Sequence, residues 1–157
     1  MKKRIDKVNY YLDIAETVSE RSTCFKRHYG AIIVNNDSII SSGFNGSPRG
    51  VKDCYDIGHC LRQDSPRGMD YSSCVSCHAE QNAIISASRE QMIGSTLYLV
   101  GINQEDNSYV ENSEPCSLCK RMIINSGISQ VVVRIKDDYK KFNVDGWKNI
   151  DSITGGY

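Results

Sequence analysis

The chain has 157 residues, enough for one domain with a buried core, and an ordinary globular composition with 39% apolar and 24% charged residues. Lysine plus arginine and aspartate plus glutamate number 19 each, so the chain lacks the general basic field expected of a partner for long nucleic acids. No apolar run approaches the roughly 20 residues of a membrane span, and the charged N-terminal segment is not of signal-peptide type. We therefore expect a cytoplasmic protein, whose seven cysteines favour metal binding or catalysis over disulfides.

The first half of the chain predicts a helix followed by a β-hairpin. Apolar residues at helical spacing within residues 8–18 indicate a helix with one buried face. The β-branched runs Ala31–Val34 and Ser38–Ser41 flank an Asn-Asn-Asp sequence at 35–37, which has the composition of a tight turn. Residues 49–73 show no clear period and are predicted to form an ordered but irregular segment.

The second half of the chain predicts alternating helices and strands. One helix is expected from Ala79 to Glu90, and another has Pro115 at its front and Gly127 just past its end. "STLYLV" predicts a strand, and the continuous apolar run "QVVVRI" is typical of a strand buried on both faces. The tail from Lys136 is mostly polar and gives no clear prediction. The order α-β-β-α-β-α-β predicts an α/β fold, a single three-layer domain over residues 1–157 with a mixed β-sheet flanked by helices.

Two cysteines at the start of the second of these helices form half of a candidate metal site. Cys116 and Cys119 are three residues apart, so their sulfurs face the same side of the helix. A helix N-terminus favours thiolate over thiol, and two adjacent thiolates are a good half-site for zinc. The alternative is a pair of buried thiols that pack as small hydrophobic residues.

Two sets of residues within "CVSCHAEQNAI", residues 74–84, can complete that site. Cys74 and Cys77 would give a closed site of four thiolates, as in a zinc-knuckle interaction module. His78 would leave one position open for water, as in a catalytic zinc site, with Glu80 beside it to move protons. Because residues i and i+2 do not share a face of a helix, His78 would have to lie at the cap position and Glu80 in the first turn. The presence of Glu80 favours the catalytic arrangement, since a structural zinc site has no use for a nearby carboxylate.

The joint pattern of His-x-Glu and Pro-Cys-x-x-Cys carries a resemblance to a known family. "HAEQNAI" with "EPCSLC" is similar to the signature of the zinc-dependent cytidine deaminase superfamily. "RSTC", "GAIIV", "GFNGSPRG", "PCSLCKRMIINSGI" and "VVV", in this order within residues 8–135, narrow the resemblance to the deoxycytidylate (dCMP) deaminase family. Phe44 departs from the tyrosine usual in the family's loop, and the tail has no match. The resemblance implies a cytidine deaminase-like fold and the hydrolytic deamination of dCMP to dUMP and ammonia.

The resemblance also implies roles for individual residues. It assigns a catalytic zinc to three ligands, which are His78, Cys116 and Cys119. Glu80 would be the acid–base group, and the backbone N–H of Ala79 would hold the carbonyl oxygen of the base. Asn45 would bind the sugar, although an Asn-Gly pair is equally typical of a turn.

The 5′-phosphate of a nucleotide needs a cation or backbone donors. Arg27 lies in the basic segment before the first strand, and its position in the family makes it our expected phosphate ligand. Four other arginines compete with it: Arg49, Arg62, Arg67 and Arg134.

The remaining cysteines predict a second, structural zinc site. Four of them are expected to form it, with His59 as the substitute for any one: Cys24, Cys54, Cys60 and Cys74. Most of them lie in or near the irregular segment, which has few apolar residues and would gain stability from a bound metal. Some relatives use a cysteine at the position of Cys24 in such a site. The alternative is four reduced, buried thiols, and Cys77 is expected to point away from both sites and pack as a small hydrophobic residue.

The resemblance implies partners as well as a reaction. The expected ligand is a small nucleotide, with no nucleic-acid polymer and no membrane. Many relatives are regulated by dCTP and dTTP and form homo-oligomers, commonly hexamers. Another deaminase substrate, such as a free nucleoside, a tRNA base or a guanine-like or pterin-like ring, is the alternative, and the neutral net charge disfavours tRNA.

Overall fold

A computed structural model describes residues 1–66 and 69–154 and contains one five-stranded sheet in the order β2-β1-β3-β4-β5. The strands are β1 Arg27–Asn35, β2 Ser38–Phe44, β3 Thr96–Asn103, β4 Gln130–Ile135 and β5 Asp138–Asn143. Strand β1 is antiparallel to β2 and β3, β3 is parallel to β4, and β4 is antiparallel to β5. The helices are α1 Lys7–Ser19, α2 Cys54–Ile57, α3 Ala79–Ile85, α4 Arg89–Met92, α5 Ser117–Ser126 and α6 Ile150–Thr154. The sheet is therefore mixed, as predicted.

Alternate residues of the central strands face opposite helical layers, because side chains in a strand have a period of two. In β1, Ile32 and Val34 belong to a core cluster with residues of α1. Ala31 and Ile33 belong to a second cluster on the other face, together with residues of α3 and α5. The three-layer arrangement expected from the order of elements is confirmed.

Several predicted elements are confirmed in detail. The hairpin turn holds Asn36 and Asp37 at φ values of 49° and 58°, the left-handed conformations that a tight hairpin turn requires. Val131, Val132 and Val133 of β4 are at most 2% exposed, so this strand is buried on both faces. Within the described residues of the 49–73 segment, structure is limited to α2 and a 3₁₀ turn at Tyr71–Ser73.

Two predicted boundaries were wrong, and one region without a prediction contains regular structure. The helix expected over 79–90 ends at Ile85, because Ser88 caps the separate helix α4 by accepting a hydrogen bond from the N–H of Gln91 at 3.2 Å. Helix α5 begins at Ser117 with Cys116 as its N-cap, so Pro115 precedes the cap and does not occupy the first turn. The tail, for which no element was predicted, forms β5, a 3₁₀ turn and α6.

A glycine sets the distance between α3 and the sheet. A Cβ atom at Gly43 of β2 would lie 2.4 Å from the backbone nitrogen of Ala83 and 2.5 Å from the carbonyl oxygen of Ala79. Only a residue without a side chain allows this approach, which brings the N-terminus of α3 against the sheet. In the part of the chain that is described, none of the helices is long and apolar enough to cross a membrane.

Candidate zinc centre and substrate cavity

Three side chains converge where the N-termini of α3 and α5 meet. The Nδ1 atom of His78 lies 3.5 Å from the Cys116 sulfur and 3.3 Å from the Cys119 sulfur. Among the described residues, these are the only three whose metal-binding atoms all lie within 4.8 Å of one another. Two sulfurs and one imidazole, with a coordination position left over, fit Zn²⁺.

Helix capping explains how the sequence places these groups. His78 is the N-cap of α3, and its backbone N–H donates to the side-chain oxygen of Gln81 at 2.8 Å. Cys116 is the N-cap of α5, and its sulfur accepts from the backbone N–H of Cys119 at 3.5 Å. The cap position predicted for His78 and the first-turn position predicted for Glu80 are both confirmed.

The two cysteines of the zinc-knuckle alternative stay outside this cluster. The backbone of Cys77 is paired with Gly46, through N–H to O=C bonds of 2.8 and 3.1 Å. Cys74 lies instead along the wall of the adjacent cavity. Within the described residues, the sulfurs of Cys116 and Cys119 therefore meet an imidazole, and the open catalytic arrangement is the one that forms.

The charges of the three donors suit a divalent cation. The hydrogen bond with Cys119 lowers the pKa of the Cys116 thiol, and the same contact raises the pKa of Cys119, so the two sulfurs share a proton. Burial acts to lower the pKa of His78. The hydrogen bond with Cys116 and the negative charge of Glu80 outweigh this effect, so the pKa of His78 is raised overall. Negative charge is thus concentrated on the sulfurs, where a metal would replace the shared protons.

Glu80 is buried beside this cluster, with 6% of its surface exposed. Burial is the main cause that raises the pKa of its carboxyl group, and the neighbouring His78 acts in the opposite direction. A carboxyl group that is held away from bulk water next to a metal site can both accept and return a proton.

A cavity of about 210 Å³ opens onto the cluster. His78, Ala79 and Glu80 are among the residues that line it. Ala79 is the first residue of α3, so its backbone N–H is one of the amides that have no partner within the helix and can bind a ligand. The cavity therefore joins the metal ligands, the buried carboxyl group and a backbone donor.

Asn45 also lines the cavity, but its side chain is largely engaged by the protein. Its Oδ1 atom accepts from the Ser22 hydroxyl at 2.6 Å and from the Tyr29 backbone N–H at 2.8 Å. Its Nδ2 atom donates to the Arg27 carbonyl oxygen at 2.9 Å, which leaves one amide hydrogen for a ligand. Asn45 thus ties two segments of the cavity wall together.

Arg27 lines the cavity, and its Nε–H donates to the Oδ1 atom of Asn103 at 3.1 Å. Two other cations lie along the same wall, but both are engaged. The Lys26 ammonium donates to the carbonyl oxygen of Gln63 at 3.0 Å, and the Arg62 guanidinium donates to carbonyl oxygens of Pro66 and Met69. The terminal nitrogens of Arg27 have no hydrogen-bond partner in the described part of the chain.

The other competing arginines are placed elsewhere. Arg49 is exposed and does not line the cavity. Arg134 binds two acidic residues of α1, Asp13 at 2.8 Å and Glu16 at 2.6 Å, and thereby holds that helix to β4. Arg67 lies outside the described residues.

The four cysteines of the predicted second site line the same cavity, namely Cys24, Cys54, Cys60 and Cys74. Cys54 is buried and the other three are partly buried. Burial, with the three neighbouring cysteines, raises the pKa of the Cys54 thiol to about 11. Within the described residues, no three of their sulfurs lie within 4.8 Å of one another, and His59 is exposed.

Several residues of the cavity wall were not predicted from the sequence. Lys26, Tyr71, Ser76 and Ser113 come from loops and short turns, where no periodicity marks a residue. The hydroxyl groups of Ser76 and Ser113 are buried and have no hydrogen-bond partner in residues 1–66 and 69–154. The wall therefore holds polar groups that the protein leaves unsatisfied.

Comparison with known proteins agrees with this geometry. Residues 5–135 match the family model for the cytidine and deoxycytidylate deaminase zinc-binding region. The chain is 36% identical over 133 residues to a deoxycytidylate deaminase of Mycobacterium phage D29, and the match covers 82% of this chain and 94% of that protein. It is 32% identical over 124 residues to the deoxycytidylate deaminase of Saccharomyces cerevisiae, covering 79% of this chain but 36% of that longer protein.

Among solved structures, the fold is similar to that of the dCMP deaminase of cyanophage S-TIM5 in complex with dCMP and dUMP. The TM-score is 0.60 and the identity 27%, over 85% of each chain. A cytidine deaminase of Mycobacterium tuberculosis, 13% identical with a TM-score of 0.51, shares the fold. The chain is thus a zinc-binding deaminase by fold and site. It belongs to the cytidine and deoxycytidylate deaminase family.

Proposed function

We propose that the protein is a deoxycytidylate deaminase, which converts dCMP and water into dUMP and ammonia. The observation that carries this proposal is the convergence of His78, Cys116 and Cys119 beside the buried Glu80 at a cavity. The family relationship supports the same reaction, because relatives over most of the chain are deoxycytidylate deaminases. When bound by these three residues, zinc supplies a water of lowered pKa at neutral pH.

Glu80 is the group that moves protons in this proposal. Its carboxylate accepts a proton from the attacking water as oxygen adds to C4 of the cytosine ring. It delivers this proton to N3, then takes the second proton from the new C4 hydroxyl group and delivers it to the amine, which leaves C4 as ammonia. Burial raises its pKa, which favours the return of the proton.

The other cavity residues position the substrate. The free N–H of Ala79 holds the carbonyl oxygen of the base, and the remaining amide hydrogen of Asn45 binds the sugar. The guanidinium of Arg27 binds the 5′-phosphate, since its terminal nitrogens are unengaged while Lys26 and Arg62 are held by carbonyl oxygens.

Ammonia release from dCMP, deoxycytidine and dCTP tests the assignment. We expect dCMP to be preferred over deoxycytidine by at least about a hundredfold in kcat/KM, because a site built for a charged group rejects an analogue that lacks it. Equal use of dCMP and deoxycytidine would contradict the nucleotide assignment, and a lack of activity on all three would contradict the cytosine assignment.

A second zinc ion bound by Cys24, Cys54, Cys60 and Cys74 is part of the proposal. Its support is that all four thiols line one cavity, and that all but Cys24 lie in or just after the irregular segment, which has few apolar residues. In the described part of the chain, no three of these sulfurs lie within 4.8 Å of one another, so binding of one zinc ion by all four would require their side chains to move closer.

Regulation and assembly follow from the family resemblance. We infer control by dCTP and dTTP and a homo-oligomer of hexamer type. Exposed apolar side chains such as Ile85 of α3 and Leu118 of α5 are compatible with subunit contacts. Repeating the dCMP assay with each triphosphate, and measuring the mass in solution by light scattering, tests both. The cytoplasmic location stays a prediction.

A further inference from the structure

We infer that Asn103 is a positioning residue for the phosphate end of the substrate, which it serves by fixing the guanidinium of Arg27. This inference rests on the proposed role of Arg27. Asn103 does not line the cavity, whereas Arg27 does, so Asn103 acts through the arginine and not on the ligand.

The sheet brings these two residues together. Arg27 is the first residue of β1 and Asn103 is the last of β3, and they are direct partners in the antiparallel pair. Side chains of directly opposite residues lie about 5 Å apart at Cβ, which is within reach of a short amide. The Oδ1 atom of Asn103 accepts the Nε–H of Arg27 at 3.1 Å.

A chain of hydrogen bonds fixes which way the Asn103 amide faces. Its Nδ2 donates to the Ser108 hydroxyl oxygen at 3.0 Å, and that hydroxyl donates its proton to Asp106 at 2.6 Å. Ser108 can therefore only accept from Asn103, so the amide must present its NH₂ group to Ser108 and its oxygen to Arg27. The backbone stabilises the same turn, because the N–H of Asn103 donates to the carbonyl oxygen of Ser108 at 2.8 Å.

The arrangement uses one nitrogen of the guanidinium and leaves the others available. A guanidinium has five N–H donors in a planar fork, and the bond to Asn103 occupies the one on Nε. The planar group is thereby oriented, while its terminal N–H groups remain for a two-point contact with phosphate oxygens. A free arginine would have to be ordered when the nucleotide binds, and this ordering weakens binding.

Asn103→Ala tests the inference, with kcat/KM measured for dCMP and for deoxycytidine. Loss of one pre-ordered side chain predicts a decrease of about threefold to tenfold for dCMP. The decrease should lie mainly in KM, with deoxycytidine unaffected. Gln104→Ala is the matched control, because this neighbouring side chain donates a hydrogen bond to the carbonyl oxygen of Ile102 and does not line the cavity, so the change should leave both substrates unaffected.

A double-mutant cycle separates positioning from general damage. If Asn103 acts through Arg27, then Asn103→Ala should have no further effect on dCMP in an Arg27→Ala background. Equal losses on dCMP and deoxycytidine, or a full additional loss in that background, would overturn the inference.

The same measurements separate failures of the proposals on which the inference rests. A wild-type protein that does not deaminate dCMP contradicts the proposed function. An Arg27→Ala variant that keeps its preference for dCMP contradicts the phosphate role of Arg27. An effect of Arg27→Ala without an effect of Asn103→Ala contradicts this inference alone.

Discussion

Replacing Glu80 with glutamine tests the proposed mechanism most directly, because the change preserves the shape of the side chain and removes its ability to accept and return a proton. General acid–base catalysis contributes about 10²–10⁴-fold to a rate. Two features of the structure lead us to expect a rate loss for Glu80→Gln at the upper end of this range. Glu80 is 6% exposed, so bulk water cannot readily replace it. The other carboxylate that lines the cavity, Glu114, is paired with Lys120 at 2.6 Å.

The expected outcome for Glu80→Gln is a loss in kcat on dCMP of about 10⁴-fold, or about 5 kcal/mol in the activation free energy. Zinc content, by elemental analysis, and the Kd for dCMP, by calorimetry, should stay near wild type. Glu114→Gln is the matched variant for a cavity carboxylate and should cost less than about tenfold. Turnover of Glu80→Gln within about tenfold of wild type would refute the reasoning, and so would equal losses in the two variants.

Three further changes test separate parts of the structure. Arg27→Ala should reduce the preference for dCMP over deoxycytidine toward unity in kcat/KM, while Arg49→Ala, at an exposed position outside the cavity, should preserve it. Cys54→Ser should lower the zinc content from two ions to one per chain while Cys77→Ser keeps two, and one zinc in the wild type would exclude the second site. Gly43→Ala should destabilise the protein by about 1–3 kcal/mol and lower activity, because its Cβ would meet the α3 backbone at 2.4 Å. Gly146→Ala, where a Cβ would meet nothing within 4 Å, is its control in denaturant unfolding, and equal stability of the two would contradict the close-packing argument.

The metal cluster could be predicted because its geometry is encoded locally. Cys116 and Cys119 are brought together by one turn of helix, and His78 and Glu80 by the start of another. The sequence did not show how the tertiary structure places the N-termini of α3 and α5 side by side. Gly43 contributes to this placement, because its missing side chain lets α3 pack closely on β2. A lone glycine in a strand, however, does not show from the sequence which element will pack against it.

The ends of helices and the edge strand were harder to predict, because local side-chain caps and small buried surfaces leave weak patterns in the sequence. The apolar pattern continues through residues 79–90, but the Ser88 side chain offers the backbone a local partner and starts α4. Strand β5 was missed because it lies at the edge of the sheet, where only Tyr139 and Phe142 are partly buried and the remaining residues are exposed. A strand with so little buried surface carries little of the alternation on which prediction depends.

The proposed role of Arg27 shows that charge alone cannot identify which cation in a sequence binds a phosphate. Lys26, Arg27 and Arg62 all line the cavity and all carry a positive charge. The structure distinguishes them by their existing partners, because Lys26 and Arg62 donate to backbone carbonyl oxygens whereas Arg27 is held through Nε alone. Phosphate binding at Lys26 or Arg62 would compete with these bonds to carbonyl oxygens, and each bond that is broken would offset part of the gain. Binding should therefore favour the arginine whose orientation is fixed but whose terminal donors are free.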